Sequence, residues 1–222
     1  MKKNSPINDL LNVMARLRSP TGCPWDREQD HQSIRRHAIE EVYELIDAIE
    51  ARDDVEMAEE LGDLLLQVVF HCQLAKERGA FDFEIVTRRI VDKLIRRHPH
   101  VFGETKVKNV DEVWANWEKI KRAEKSGTQH ARHSALDGVP RHLPALMRVE
   151  KLMKKARKAR LPVDGDGQAP TRKLAKGSVG AELFELASAA QAQGWSAEQL
   201  LTDEIKKRER RLRQLEKQAG KA

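Results

Sequence analysis

Two apolar-periodic segments joined by a very short connection limit what this chain can fold into. They lie within residues 39–70, "IEEVYELIDAIEARDDVEMAEELGDLLLQVVF". Apolar residues recur at helical spacing before and after "RDD", which predicts one helix from about Ser33 to Arg52 and another from about Val55 to Arg78. Because a connection this short makes the two helices antiparallel neighbours, we expect a helical hairpin.

The rest of the chain also has helical patterns and no convincing strand. Aromatic residues make up only 5% of it, hydrophobic residues 40% and charged residues 34%, which is typical of a soluble, helix-rich protein. We predict an all-α protein with a helical-bundle core. The expected divisions are a catalytic helical domain over 1–126, a linker over 127–142 and a basic helical region over 143–222, with a loop at 161–178.

The charge is distributed unevenly. The chain is basic overall, at formal +6, yet eleven acidic residues and one base fall between Glu40 and Asp63. Residues 141–160 instead hold eight bases and one acid. Such a basic segment can bind phosphates, nucleic acid or an acidic partner, or can simply be a solvated face.

Neither a membrane nor a secretory pathway is indicated. The longest apolar run, "LLLQVVF", is too short to span a bilayer, and the first twenty residues contain no apolar core of a signal peptide. Cys23 and Cys72 form neither a metal-ligand spacing nor a disulfide framework. We therefore expect a cytoplasmic protein.

Two carboxylate pairs stand out in the predicted hairpin. Glu41 and Glu44 are three residues apart on its first helix, and Glu60 and Asp63 are three apart on its second. Residues at this spacing share a helical face, so antiparallel packing lets the pairs face each other. The second helix is apolar nearly all round after Asp63, which predicts that it is buried. Carboxylates at the entrance to such a helix need a positive partner.

Four carboxylates without histidine or cysteine suit a hard cation with oxygen ligands. Mg²⁺ is the first choice and Mn²⁺ the second, and a carboxylate-held Mg²⁺ commonly binds substrate phosphates. The alternative is an exposed acidic hairpin that pairs with lysine and arginine elsewhere.

Cationic and aromatic side chains that could hold a nucleotide come later in the chain. Lys93, Arg96 and Arg97 in "KLIRR" would lie near one side of the fourth long helix. They could clamp a polyphosphate or merely complement the helix C-terminus. Trp114 and Trp117 in "VWANWEKIK" could stack on a base or pack on the bundle.

These residues resemble the MazG family of nucleoside triphosphate pyrophosphohydrolases. "EEVYE" followed by "EELGD" fits the family signature E-E-x-x-E … E-x-x-D. The resemblance covers about residues 8 to 150 and looks like the N-terminal copy of two-copy bacterial members. The segments that carry it are "LLNVMARLRSPTGCPWDREQDHQSI", "ELGDLLLQVVFHCQLAKERGAFDF", "DKLIRRHPHVF", "VWANWEKIK" and "HSALDGVPRHLPALMR".

The resemblance implies an all-α fold that forms a homodimer through helix packing, and a Mg²⁺-dependent hydrolysis of nucleoside triphosphates to the monophosphate and pyrophosphate. It also implies roles for individual residues. Glu40 would line the nucleotide site. The implied metal ligands are Glu41, Glu44, Glu60 and Asp63, and the implied substrate-binding residues are Glu40, Lys93, Arg96, Arg97 and Trp117.

The C-terminal part resembles the back half of a second copy. "VGAELFEL" is similar to "LGDLLLQV", but Ala181 stands at the position of Asp63 and Ser178 at that of Glu60. Lys207, Arg210 and Arg211 repeat the "KLIRR" spacing. Because the front half with its E-E-x-x-E is absent, we expect no second metal site.

Our hypothesis is that the carboxylates bind Mg²⁺, which neutralises the triphosphate and lowers the pKa of an attacking water. Lys93, Arg96 and Arg97 stabilise the leaving pyrophosphate, while Glu41 and, as a candidate general base, Glu40 serve catalysis. One alternative is a narrower pyrophosphohydrolase for a non-standard nucleotide or a phosphoribosyl-nucleotide. The other is a weakly catalytic helical scaffold or nucleic-acid binder, which the lack of aromatics among the basic segments disfavours.

Overall fold

The computed structural model describes residues 5–124, 127–128, 131, 133–162 and 175–219. Throughout these ranges the regular structure is helical, with no strand, which confirms the predicted all-α class. The helices are α1 (Pro6–Leu17), α2 (Pro24–Glu28), α3 (His37–Ala51), α4 (Asp54–Glu77), α5 (Phe83–Arg97), α6 (Pro99–Phe102), α7 (Val110–Ala123), α8 (Ala145–Lys158), α9 (Lys176–Ala192) and α10 (Ala197–Ala219).

The predicted long helices are present, with small differences at their ends. A 3₁₀ turn at Ile34–Arg36 precedes α3, where the sequence predicted one continuous helix from Ser33. The short helices α2 and α6 were not predicted, because each lies in a segment whose prolines were interpreted only as a stop. Most of the predicted loop at 161–178, residues 163–174, lies outside the described residues, as does part of the predicted linker.

The structure divides into two compact units, one ending at Trp117 and one beginning at Glu118. We call them the first unit and the second unit. The division falls inside α7, and the functional boundaries expected at 126 and 142 stay predictions. No helix in the described part of the chain is long and apolar enough to cross a membrane.

The turn between α3 and α4 is fixed by local chemistry. Arg52 adopts a left-handed conformation, with φ of 57°, and ends α3. The Asp53 carboxylate then accepts hydrogen bonds from the backbone N–H groups of Val55 (3.0 Å) and Glu56 (3.1 Å), which makes it the N-cap of α4. The tight turn brings α3 and α4 side by side, as the hairpin prediction required.

The core of the first unit forms where α1 and the 3₁₀ turn pack on the second half of α4. Its most deeply buried side chains are Met14, Ile34 and Val69, with Phe70 and Leu74 next to them. Arg18, just after α1, pairs with Glu77 at the end of α4 at 2.7 Å. These contacts hold the C-terminal half of α4 and leave its first half, with the acidic residues, on the α3 side.

The expectation that α4 is buried nearly all round is wrong. Leu61, Leu65 and Val68 lie on an exposed side of the helix, while Val69 and Phe70 lie in the core. The described residues of the first unit supply packing partners for only one side of this apolar helix. The other side is available to a further helical surface.

The second unit has its own core between α8 and α10. Leu136, Leu152 and Ile205 are among its buried residues. Arg148 is buried as well, and its Nη2 donates to Glu209 Oε2 at 2.7 Å. A buried guanidinium needs such a partner, so this pair fixes how α8 faces α10.

Candidate metal and nucleotide site

The α3–α4 hairpin gathers three carboxylates at one point. Glu41 comes from α3, and Glu60 and Asp63 come from neighbouring positions on one face of α4. One carboxylate oxygen from each lies within 4.8 Å of the other two. We call these three residues the acidic cluster. It has the composition and the span that a single small cation requires.

Burial and mutual repulsion make the acidic cluster electrostatically unfavourable without a cation. Glu60 is only 8% exposed, and its Oε2 has no hydrogen-bond partner among the described residues. Burial raises the pKa of Glu60, and the nearby charges of Glu44 and Glu56 raise it further. Burial also raises the pKa of Glu41, with added repulsion from Asp63. A buried carboxylate oxygen without a donor is where a cation would bind.

Gln67 is a further member of the site that the sequence interpretation missed. Its Nε2 donates to Glu41 Oε1 at 3.2 Å, which opposes the rise in the pKa of Glu41. Gln67 is itself buried, one turn after Asp63 on α4. The available signal was a lone amide inside the apolar run "LLLQVVF", at helical spacing from Glu60 and Asp63. It orients one carboxylate of the acidic cluster.

Two predicted residues of the α3 side lie outside the acidic cluster. Glu44 is not among the three whose oxygens converge, although its charge contributes to the raised pKa values of Glu41 and Glu60. Glu40 is exposed, and its Oε2 lies 3.0 Å from His37 Nδ1. The structure therefore brings together three of the four predicted ligands and leaves Glu40 facing solvent.

The predicted phosphate-binding residues lie on α5, which packs against α4. Lys93 and Arg96 line an open cavity of about 680 Å³ together with Arg89 and Asp92. Arg97 instead stacks over the ring of Trp117 at 5.0 Å. These side chains give one side of α5 a concentrated positive charge.

Trp117 lies in an aromatic and cationic cluster. The edge of one indole ring meets the face of the other in the Trp114–Trp117 pair, with centroids 5.8 Å apart. Together with the Arg97 contact, this gives Trp117 protein partners of its own. The packing interpretation of Trp117 therefore has direct structural support, and its contact with a base stays a prediction.

The donor set of the acidic cluster fits a divalent cation. All three ligating groups are carboxylates, which favour Mg²⁺, Mn²⁺ or Ca²⁺ over metals that prefer nitrogen or sulfur. The partnerless oxygen of Glu60 supports this fit on independent grounds.

Comparison with known proteins agrees with this geometry. The sequence model of the MazG nucleotide pyrophosphohydrolase domain matches residues 29–102, which contain the acidic cluster and the cations of α5. The nucleoside triphosphate pyrophosphohydrolase of Escherichia coli K12 is 52% identical over 150 residues, covering 67% of this chain and 56% of that protein. A Streptomyces cacaoi protein named "Uncharacterized 26.1 kDa protein in blaB 3'region" is 40% identical over 195 residues, covering 87% of this chain and 75% of its own length.

The chain belongs to the MazG family. As a MazG protein it spans little more than half the length of the E. coli relative that it matches. A solved structure titled "Crystal structure of mazG-related protein from Thermotoga maritima" matches with a TM-score of 0.45 and 25% identity, covering 51% of this chain and 97% of that one. The family match includes Gln67, Lys93, Arg96 and Arg97 and ends before Trp117.

Proposed function

We propose that this MazG protein is a Mg²⁺-dependent nucleoside triphosphate pyrophosphohydrolase. The observation that carries the proposal is the acidic cluster, three carboxylates within 4.8 Å inside the family-matched region. The E. coli K12 relative is named nucleoside triphosphate pyrophosphohydrolase, and this name supports the proposal. In the reaction, water adds across the α–β anhydride and yields a nucleoside monophosphate and pyrophosphate.

Some residues of this chain would hold the cation, and others would bind the phosphates. Glu41, Glu60 and Asp63 would hold the ion, and Gln67 orients Glu41 through their hydrogen bond. Glu44 adds negative charge beside them. When bound, Mg²⁺ supplies charge neutralisation for the triphosphate and activation of water.

The cationic side of α5 would stabilise the departing pyrophosphate. Lys93 and Arg96 line the same cavity, and arginine can donate two parallel hydrogen bonds to a phosphate. Glu40 is exposed and hydrogen-bonded to His37, so it can accept a proton from water and pass it to solvent. The isosteric Glu40→Gln change tests this role, because it removes the proton-accepting carboxylate and keeps the shape of the side chain.

A substrate panel tests the proposal and separates it from the narrower alternative. Pyrophosphate release is measured for the eight standard nucleoside and deoxynucleoside triphosphates and for several base-modified triphosphates, each with Mg²⁺ and with excess chelator. We expect Mg²⁺-dependent release from more than one standard triphosphate. Turnover confined to a single modified nucleotide would favour the narrow enzyme, and turnover unaffected by the chelator would rule out the metal-dependent mechanism.

We also propose that the first unit forms a homodimer through the exposed apolar side of its helices. Large apolar side chains with 40–53% exposure recur at helical spacing on α3, and α5 has a similar set. Continuous apolar surfaces of this kind usually mark an interface. The residues are Ile39, Val42, Tyr43, Ile46 and Ile49 on α3, and Ile90, Val91, Leu94 and Ile95 on α5.

Sedimentation equilibrium checks the dimer proposal. The wild-type protein should show twice the 25.4 kDa mass of the chain. Ile46→Asp should shift it towards monomer, because a charge in an apolar interface is costly to bury. Val13→Asp on α1, an equally apolar and exposed position outside the proposed interface, is the matched control. A wild-type protein that stays monomeric at all concentrations would contradict the proposal.

A further inference from the structure

The second unit contains a cavity of about 730 Å³ that the proposed reaction does not use. Its walls come from one side of α8, from residues 133–140 and from Glu118 and Lys121 near the end of α7. Ligand sites of small molecules have volumes of about 300–1,000 Å³, so this cavity is large enough for one.

Lysine side chains dominate the lining. Four of them recur on α8 at i, i+3, i+4 and i+7, the spacing of a single helical face. We call them the lysine stripe: Lys151, Lys154, Lys155 and Lys158. Lys121 adds a fifth cation, and among the described lining residues Glu118 is the single acidic one.

Most of the lysine stripe has no negative partner within the described part of the protein. Among the described residues, Lys151, Lys154 and Lys158 form no ion pair or hydrogen bond. Glu118 Oε1 lies 3.6 Å from Lys121 Nζ, so this carboxylate pairs with Lys121. Like charges one turn apart on a helix destabilise it, and a bound anion would relieve that repulsion.

Residues 133–140, which form another wall of the cavity, are fixed in position by contacts with α10. Asp137 accepts hydrogen bonds from the backbone N–H groups of His133 and Ser134, both at 3.0 Å, and pairs with Arg213 of α10 at 2.7 Å. Glu216, also of α10, accepts from the Ala135 N–H and the Ser134 hydroxyl. A wall fixed to α10 in this way loses little conformational entropy on binding.

Lys155 connects the two walls. Its Nζ donates to the Ala135 carbonyl at 3.1 Å, so α8 and the 133–140 segment meet at that point. Gly138, with φ of 84°, lets the segment turn back beside the helix in a conformation that other residues rarely adopt. The remaining lysines of the stripe therefore line a concave surface and not a flat one.

The shape and chemistry indicate the class of ligand. From Lys151 to Lys158 the helix rises about 10 Å, which suits an extended anion with several charges better than a single phosphate. Among the described lining residues there is no Trp, Tyr or Phe on which a base could stack. We propose that the cavity binds an extended polyphosphate chain, free or carried by a nucleotide, through the lysine stripe of α8.

Calorimetric titration of the full chain with sodium tripolyphosphate in excess EDTA tests this proposal. The chelator removes metal-dependent binding at the acidic cluster, so this result does not depend on the proposed enzymatic function. We expect saturable binding of one tripolyphosphate per chain. The double variant Lys151→Gln/Lys154→Gln should bind tripolyphosphate roughly tenfold more weakly or worse, because the loss of one good charged contact weakens binding about tenfold.

The matched control is Arg157→Gln/Arg160→Gln, which removes two cations at the same spacing from positions outside the cavity lining. It should bind within about twofold of wild type, as expected when a charge is distant from the site and screened. Equal weakening in both variants would show diffuse electrostatics and overturn the proposal, as would the absence of binding in wild type. Circular dichroism of each variant should show the helix content of wild type.

Two further ligands identify what the site recognises. ATP in EDTA that binds as tightly as tripolyphosphate supports recognition of the phosphate chain alone, and tighter ATP binding supports a nucleotide-borne chain. A DNA duplex that binds more tightly than tripolyphosphate and loses that binding in Lys151→Gln/Lys154→Gln would instead assign the surface to nucleic acid.

Discussion

Glu41→Gln and Asp63→Asn should each reduce Mg²⁺-dependent pyrophosphate release by roughly 10³-fold, because losing a metal ligand removes several kcal/mol of transition-state stabilisation. Both changes keep the shape of the side chain and remove its charge. Glu41, Glu60 and Asp63 each offer one oxygen within 4.8 Å of the other two. Neither Glu41 nor Asp63 can therefore be replaced as a ligand by another member of the cluster. The measurement is the steady-state rate at saturating Mg²⁺ and triphosphate.

Glu50→Gln is the matched control for this pair. Glu50 lies on α3 like Glu41, is exposed and has no part in the acidic cluster. Its variant should retain wild-type turnover, and circular dichroism should show the same helicity in all three proteins. Folded Glu41→Gln and Asp63→Asn variants with unchanged turnover would show that the cluster is not the catalytic metal site.

Glu60→Gln should raise the metal-free thermal midpoint by a few degrees, an effect large enough to resolve for a chain of this size. Glu60 is buried, its Oε2 has no partner among the described residues, and other carboxylates surround it. Removing its charge relieves this repulsion. Mg²⁺ should stabilise the wild-type protein, since a ligand that binds only the folded state raises the midpoint, but should stabilise Glu60→Gln much less.

The difference in thermal stability between Glu60→Gln and wild type should depend on pH, in the direction set by the raised pKa of Glu60. The pKa of Glu60 is raised in the folded protein, so the folded state binds more protons than the unfolded state over the window above the ordinary glutamate pKa. The ionised group therefore costs stability at neutral pH, and the cost disappears as the pH falls and Glu60 becomes protonated. The advantage of Glu60→Gln over wild type should shrink as the pH is lowered from neutrality towards the ordinary glutamate pKa.

Glu59→Gln is the control for the thermal measurements. Glu59 precedes Glu60 on α4 but is exposed. Its variant should show a metal-free midpoint close to that of wild type and the full response to Mg²⁺. A metal-free midpoint that falls in Glu60→Gln, or a response to Mg²⁺ that persists there, would contradict a cation site built on this residue.

The hairpin and its acidic face could be predicted because the determinants are local. Helical spacing places Glu60 and Asp63 on one face, and the tight Asp53 turn makes α3 and α4 neighbours. The orientation of individual side chains was harder to predict from the sequence. Glu44 has the same spacing from Glu41 as Asp63 has from Glu60, yet its oxygens do not join the converging three.

The features that the sequence did not predict depend on contacts between distant segments. The sequence shows no partner for Gln67, because its amide lies beside Glu41 only once α4 packs against α3. The apolar side of α4 with Leu65 and Val68 was expected in a core, but the first unit covers only the opposite side. The basic segment at 141–160 was predicted as a charged helix. The sequence did not show that residues 133–140 lie beside it, where Asp137 pairs with Arg213, 76 residues further along.

We propose above all that the acidic cluster supports cleavage between the α and β phosphates of the substrate. Phosphorus NMR of the full chain incubated with a deoxynucleoside triphosphate and Mg²⁺ tests it most directly, because it identifies the bond that breaks. We predict resonances of the monophosphate and pyrophosphate for wild type, and none above background with excess EDTA or with Asp63→Asn over an incubation that just converts the wild-type sample. Release of a diphosphate and inorganic phosphate, or wild-type amounts of the monophosphate and pyrophosphate from Asp63→Asn, would contradict this assignment.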